Sequence, residues 1–185
     1  MSSSKVGLLF ATGTALCWAF LAIALKFALN YTDSGSIVWV RMVVAFVLLG
    51  TYLRYKNPKS LKVLKRPPKI LLMASVCLAF NYFAYMKSVE LTTATNTQIM
   101  IQTGPLLLAI TGFLYFKEVP TLIRWIGFCF ASLGFLFFFW DQANFSIENP
   151  NHFFQGSLWV LSAALAWAIF AFVQKIWSQN SDPQE

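Results

Sequence analysis

The sequence has little charge and almost no histidine. Only 11% of its 185 residues are charged, 58% are hydrophobic, and the mean hydropathy is +0.62. A soluble fold of this size cannot hide so much apolar surface in one core, so lipid is expected to be part of its solvent. His152 is the single histidine, which excludes a histidine-based metal or catalytic cluster within one chain.

Further absences narrow the function. The sequence has no GxxxxGK[ST] phosphate-binding loop, so ATP cannot drive a process within this chain. No Asp or Glu falls inside a long apolar stretch, whereas proton-coupled carriers often use a buried carboxylate. Cys17, Cys77 and Cys129 lie in separate apolar stretches and are interpreted as buried thiols. No His, Asp and Cys constellation is present, so we expect neither an enzyme nor a cofactor.

Apolar segments of about the length that crosses a bilayer recur along the chain. Because backbone amides in lipid must be paired internally, each segment is predicted to be a helix. The sequence therefore predicts an all-α, polytopic membrane protein with six transmembrane helices. The segments are residues 7–25, 35–53, 70–86, 91–116, 125–140 and 153–174.

The connectors between these segments alternate in charge. Residues 54–69 hold seven Lys or Arg, and the fourth connector holds Lys117 and Arg124, whereas the first and fifth hold none. Cationic connectors resist translocation, so both termini are predicted to be cytoplasmic in the cell (inner) membrane. Since the net charge of +7 is placed in this way, it indicates membrane topology and not nucleic-acid binding.

The first and last helices resemble copies of each other. Residues 7–26 and 156–175 match at eight of twenty positions without a gap, including Trp18 with Trp167 and Lys26 with Lys175. The alternation places the two copies in opposite directions, which is the arrangement of the inverted repeats of secondary transporters.

The fourth predicted helix is the most polar crossing. Thr95, Gln98 and Gln102 share one face, and Pro105 follows, removing an amide near the middle of the helix. Broken backbone at that depth is tolerated where it lines a cavity. For the two glutamines, substrate lining and helix packing by amide hydrogen bonds are both left open.

Other candidates lie in the first and third helices. Asn81, with Tyr85 beside it, either faces a cavity or makes a polar contact to the fourth helix. Trp18 and Trp167 lie near mid-membrane, where they form either a packed core or a hydrophobic wall for a substrate.

Four charged residues receive structural roles. Arg41 and Lys26 are expected to reach the outer headgroups, with attraction of an anionic substrate as the alternative. Glu118 and Arg124 are interpreted as a charge cluster that closes the turn between the fourth and fifth helices.

The chain resembles an EamA-type repeat of the drug/metabolite transporter superfamily over residues 6–140. The matching features are NYFAYMKSVELTTAT leading into the fourth helix, Pro105 within it, Glu118 at its end, and Gly127 and Gly134 in GFCFASLGFLFFF. The motifs CWAF in the first helix and VRMVVAF in the second also fit.

This resemblance implies a ten-helix carrier of small metabolites or drugs built from two inverted five-helix repeats. It implies a central cavity lined by the first, third and fourth helices, which here would place Trp18, Asn81, Tyr85, Gln98 and Gln102 on its wall. Residues 1–145 are then the five-helix repeat, and residues 146–185 the first helix of an incomplete second repeat with its tail.

The leading hypothesis is accordingly a secondary carrier, shortened relative to the family pattern. Its expected partners are a small-molecule substrate, the lipid bilayer, and either a second copy of the chain or a complementing second half, but no nucleic acid. The alternative is a non-transporting membrane scaffold or an inactive truncated remnant.

Overall fold

Every regular element that the structure describes is an α-helix. The computed structural model describes residues 3–57, 67–115, 121–145 and 150–181, and no strand occurs within these ranges. The helices are α1 (Ser3–Ala28), α2 (Ser34–Lys56), α3 (Lys69–Leu91), α4 (Ala94–Met100), α5 (Thr103–Leu114), α6 (Leu122–Phe145) and α7 (Pro150–Ser181).

Most of these helices are suited to crossing a bilayer. Within the described ranges, five spans are long and apolar enough, and α6 carries a shorter apolar stretch, Trp125–Phe138. Each predicted crossing coincides with one helix, except the fourth, which consists of α4 and α5. The prediction of an all-α, polytopic membrane protein is confirmed. The five long spans are Val6–Ala28, Ser34–Lys56, Lys69–Leu91, Ala94–Leu114 and Asn151–Trp177.

The fourth crossing is interrupted at Ile101 and Gln102, which have no α-helical assignment. Because Pro105 has no N–H, the carbonyl of Ile101 lacks its usual donor four residues on. The N–H of Gly104 donates to it instead at 3.0 Å. In a regular helix, the N–H of Gly104 would donate to the carbonyl of Met100. That carbonyl accepts the Thr103 hydroxyl at 2.9 Å. The break therefore leaves neither carbonyl unpaired.

The packed centre of the molecule lies between α3, α5 and α7. Its fully buried residues are mostly small or of medium size, which lets the helix backbones approach closely. Gly104 of α5 lies against Ala164 and Trp167, and Gly156 of α7 lies against Ser88 and Thr92. The fully buried hydrophobic residues of α3 and α7 are Ala84, Met86, Val89, Val160, Ala163 and Ala164.

Contacts along α7 fix the relative directions of the helices. On α3, Ser88 lies beside Gly156, whereas Asn81 reaches Ala163, so α3 and α7 are antiparallel. On α5, Gly104 lies beside Ala164, and the rings of Tyr115 and Phe172 follow at 5.0 Å, so α5 and α7 are parallel.

The last turn of α1 is fastened to the end of α3. The Lys26 ammonium donates to the carbonyl of Val89 at 2.6 Å and to that of Thr92 at 2.7 Å. Carbonyls at a helix C-terminus have no partner within their helix, and a cation there also complements the helix dipole. The sequence predicted that Lys26 extends to the outer headgroups, but its ammonium instead binds the C-terminal end of α3. Since α1 and α3 end together, the two matched helices α1 and α7 run in opposite directions.

Candidate functional site

A cavity of about 310 Å³ lies between α1, α2, α3, the interrupted crossing and α7. This volume is at the lower end of the range of small-molecule pockets. Its wall combines aromatic, aliphatic and amide side chains with one guanidinium. The lining residues are Trp18, Leu21, Leu25, Arg41, Asn81, Tyr82, Tyr85, Gln98, Ile101, Gln102, Pro105 and Trp167.

Each of the helices contributes side chains to this wall at helical spacing. The α1 residues Trp18, Leu21 and Leu25 follow each other at three and four residues and so form one stripe. The α3 residues Asn81 and Tyr85 are one turn apart. The interruption between α4 and α5 lies at the cavity, since Ile101 and Gln102 both line it.

Two hydrogen bonds orient the amides of the wall. The Tyr85 hydroxyl donates to Oε1 of Gln98 at 2.8 Å, which leaves the Gln98 amide nitrogen as a donor. Nδ2 of Asn81 donates to the carbonyl of Ala163 at 2.8 Å, which leaves the Asn81 side-chain oxygen as an acceptor. Tyr85 and Asn81 are buried, so these bonds hold their side chains in place.

Arg41 supplies the positive charge of the cavity. Its side chain is half-buried, and the guanidinium carbon lies 5.4 Å from the centre of the Tyr82 ring, within the range of a cation–π contact. The structure thus directs Arg41 inward to the cavity wall, whereas the sequence suggested a role at the headgroups.

The cavity is open on one side within the described chain. Trp18 lines it and yet is 47% exposed, and Gln102 and Pro105 are exposed as well. Trp167 lies on the inner side, where it is half-buried against Gly104. The wall is therefore anchored on α3 and α7 and uncovered along α1 and the start of α5.

The structure brings all the cavity candidates from the sequence to this one wall: Trp18, Asn81, Tyr85, Gln98, Gln102 and Pro105. The polar contact expected between Asn81 and the fourth helix is instead made to α7. Glu118 lies outside the described residues, and of Arg124, in the first turn of α6, only the backbone is described.

Sequence reasoning missed Leu21, Leu25 and Ile101 as lining residues. The spacing of the two leucines from Trp18 was the available signal. Asn96 of α4, a further amide of the fourth crossing, does not line the cavity. It is fully buried, and neither of its amide atoms has a partner in the part of the chain that the structure describes.

The described residues include no cluster of three or more His, Cys, Asp or Glu side chains that would suit a metal ion. Cys17, Cys77 and Cys129 are free thiols, and Cys17 and Cys129 are exposed. The two exposed cysteines lie on outer faces of the bundle, and not in its interior as the sequence suggested.

The fold and the cavity define the class of the protein as a helical membrane protein with a half-open, mostly apolar cavity that carries a few amides and one guanidinium. The family model of the EamA-like transporter family matches residues 5–140, and the chain belongs to this family.

Two relatives extend this comparison. The chain is 30% identical over 182 residues to an "Uncharacterized transporter" of Haemophilus influenzae, covering 97% of this chain and 59% of the relative. It is 25% identical over 174 residues to the "Uncharacterized inner membrane transporter YhbE" of Escherichia coli K12, covering 92% of this chain and 54% of the relative. The chain thus spans between 54% and 59% of the length of these relatives. No solved structure gives a significant match.

Proposed function

We propose that this protein is a secondary carrier, and not an enzyme, that moves a small metabolite or drug across the inner membrane. The family membership and the name of the Escherichia coli relative support this proposal. The cavity between α1, α3, the interrupted crossing and α7 is the proposed substrate site.

The observation that carries the proposal is the set of amides on the cavity wall at membrane depth. Polar side chains in a membrane span are expensive unless they face protein or a wet cavity. Gln98 uses its oxygen for Tyr85, but the Gln102 side chain has no partner among the described residues. A mostly apolar wall that carries a few partly unpaired amides is suited to binding a solute.

A covering partner for the open side is part of this proposal. Gln102 is exposed in a membrane span, so lipid would contact an unpaired amide unless other helices lie over it. The greater length of the relatives supports further helices. We propose that a second copy of the chain, or a complementing second half, provides them.

The topology of the proposed carrier follows the charge alternation, with both termini in the cytoplasm. Residues 1–145 act as the five-helix repeat, and α7 as the first helix of an inverted second one. A tag inserted in the connector between α6 and α7 should then be reached by an impermeant reagent only from outside the cell. Labelling only from the cytosol would contradict this orientation.

Transport by the purified chain in lipid vesicles tests the function. We expect at least one solute in a broad panel of small metabolites to exchange faster than in empty vesicles. Gln102→Leu should slow that exchange strongly, because it removes an exposed cavity amide without breaking a side-chain hydrogen bond. Thr95→Val is the matched control, since Thr95 is exposed on α4, about two turns before Gln102, and does not line the cavity.

Absence of exchange for every solute in the panel would defeat the carrier proposal and favour a non-transporting scaffold. Crosslinking in membranes tests the covering partner separately. Cys17 is exposed and adjacent in sequence to Trp18, so a short bis-maleimide should join two copies through Cys17 if a second copy covers the cavity. Persistence of the crosslink in Cys17→Ser would assign it to another cysteine and count against that arrangement.

A further inference from the structure

We infer that the cavity selects a small monoanion, namely a carboxylate on a flat apolar body, and that Arg41 pairs with its charge. This inference rests on the proposed function and assigns the substrate class of the same site. It is carried by the charge balance of the wall, the donors left free on it, and its aromatic lining.

The first argument is that Arg41 has no anionic partner among the described residues. It forms no ion pair with a described side chain, and no Asp or Glu lines the cavity. Arg41 lies seven residues after the start of α2, about 10 Å along the helix axis. A guanidinium at such a position normally pairs with an anion or faces a wet cavity. Within the described part of the chain, the cavity therefore carries a positive charge that no carboxylate offsets.

The second argument is the surplus of hydrogen-bond donors. Tyr85 donates to the Gln98 oxygen, so the Gln98 nitrogen is left to donate toward other groups. Arg41 adds the fork of guanidinium N–H groups that suits a carboxylate, and the unpaired Gln102 amide adds an NH2 donor together with an acceptor oxygen. The Asn81 oxygen is the other acceptor, left by its bond to Ala163. A carboxylate, which only accepts, complements this wall better than an ammonium group, which only donates.

The third argument concerns the uncharged part of the solute. Trp18, Trp167 and Ile101 offer flat or aliphatic surface on the same wall. The cavity of about 310 Å³ corresponds to roughly ten water volumes. That space suits one ring with a short side chain. A cationic solute of the same shape would meet the Arg41 charge with no described carboxylate to offset it.

Binding of three compounds of matched shape tests the inference on the purified full chain in lipid nanodiscs. These are 3-phenylpropionate, 3-phenylpropionamide and 3-phenylpropylamine, which carry a negative, no and a positive charge. We expect the carboxylate to bind at least about tenfold more tightly than the amide, as a charge-assisted hydrogen bond permits, and the amine to bind most weakly. Exchange in vesicles should follow the same order.

Variants of Arg41 identify the group responsible. In Arg41→Gln, the ratio of the affinities for the carboxylate and the amide should fall to about one. Arg41→Lys should keep part of the preference, since lysine keeps the positive charge but lacks the planar set of N–H donors. Arg54→Gln is the control, because Arg54 is an exposed cation of the same helix away from the cavity. It should leave the preference unchanged.

The outcomes separate the inference from the proposed function. If the amide or amine binds and exchanges as well as the carboxylate, the anion inference is overturned while the carrier proposal stands. A preference that survives in Arg41→Gln likewise overturns the role of Arg41. If neither these compounds nor the broader panel exchange, the carrier proposal fails and the inference fails with it.

Discussion

The α3–α7 pair and the α1–α2 pair are similar in sequence character but differ in how they are held. All four helices are long and apolar enough to cross a membrane. Yet α3 and α7 hold most of the buried residues, whereas most residues of α2 and all the residues of α1 from Val6 to Phe20 are exposed. Apolar composition therefore shows that a helix lies in lipid, but it does not show which helix it packs against.

The α3–α7 pair is closely packed through buried small residues. On α7, alanines recur where α3 and α5 approach, and Gly156 lies under Thr92. Where helices pack without a hydrophobic driving force, such close approach supplies van der Waals contact. The sequence predicted a boundary between two repeats at residue 145. The packing does not follow that boundary, because α7 lies after it and packs among the helices before it. The cavity lies where the closely packed α3–α7 pair, the tight pair, meets the more exposed α1–α2 pair, the loose pair.

A glycine substitution gives the largest expected difference between the two pairs. In Gly156→Ala, the new methyl group would collide with the Thr92 side chain and approach Leu91. Overpacking of this kind costs about 1–3 kcal/mol, so the melting temperature in detergent should fall. In Gly50→Ala on α2, the new methyl group meets nothing within 4 Å. The melting temperature should stay the same or rise, because alanine favours a helix. Equal effects at the two positions would remove the contrast.

Removing the Lys26 ammonium should have the next largest effect, because it joins the loose pair to the tight one. Lys26→Met leaves the carbonyls of Val89 and Thr92 without their donor. Hydrogen bonds to charged groups contribute about 1.5–3 kcal/mol, and the half-exposed position of Lys26 reduces this. Lys56→Met is the control, because Lys56 is exposed on α2 and its ammonium contacts only Tyr52 of the same helix. Thermal unfolding should separate the two variants, and identical curves would show that α1 does not depend on this contact.

The buried hydroxyls that join α3 to α4 should contribute less. Ser88 and Thr97 are buried, with their oxygens 2.8 Å apart. Interhelical bonds of this type in membranes average about 0.6 kcal/mol in double-mutant cycles. Ser88→Ala combined with Thr97→Val should show that coupling in unfolding measurements. Ser75→Ala with Thr97→Val should be additive, because Ser75 bonds only within its own helix. No coupling in the first cycle would argue against the contact.

Some features were predictable because they depend on local composition. The crossings follow from runs of apolar residues, and the cavity candidates follow from polar side chains that lipid cannot accept. Other features depend on helix partners, which a single sequence does not specify. The bond from Asn81 to α7, the inward direction of Arg41 and the attachment of Lys26 are of this kind. The break after Met100 belongs to both kinds. Pro105 predicts the break from the sequence, but it does not predict which groups donate to the two carbonyls there.

The smallest expected effect lies at the start of α2. The Asp33 carboxylate accepts the Ser36 hydroxyl at 2.6 Å and the Ser36 N–H at 3.0 Å, as an N-cap residue does. These bonds, the side-chain bond foremost, lower the pKa of Asp33 below its ordinary value of 3.8. The charged form therefore stabilises the helix start at every pH above that value, and the contribution is lost as the pH falls through the lower, folded pKa.

Hydrogen exchange of the first turn of α2 measures this contribution locally. Asp33→Ala should speed exchange of that turn at neutral pH, and the difference from the unmodified protein should shrink once the pH falls below 3.8. Asp33→Asn retains a capping oxygen and should show no such pH dependence. The cap acts only on the first turn, whereas α2 is held in the bundle mainly by its packing against α3. The melting temperature of Asp33→Ala should therefore hardly change. A large global loss in Asp33→Ala would instead show that the α1–α2 pair supports the whole bundle, and the contrast between the two pairs would not hold.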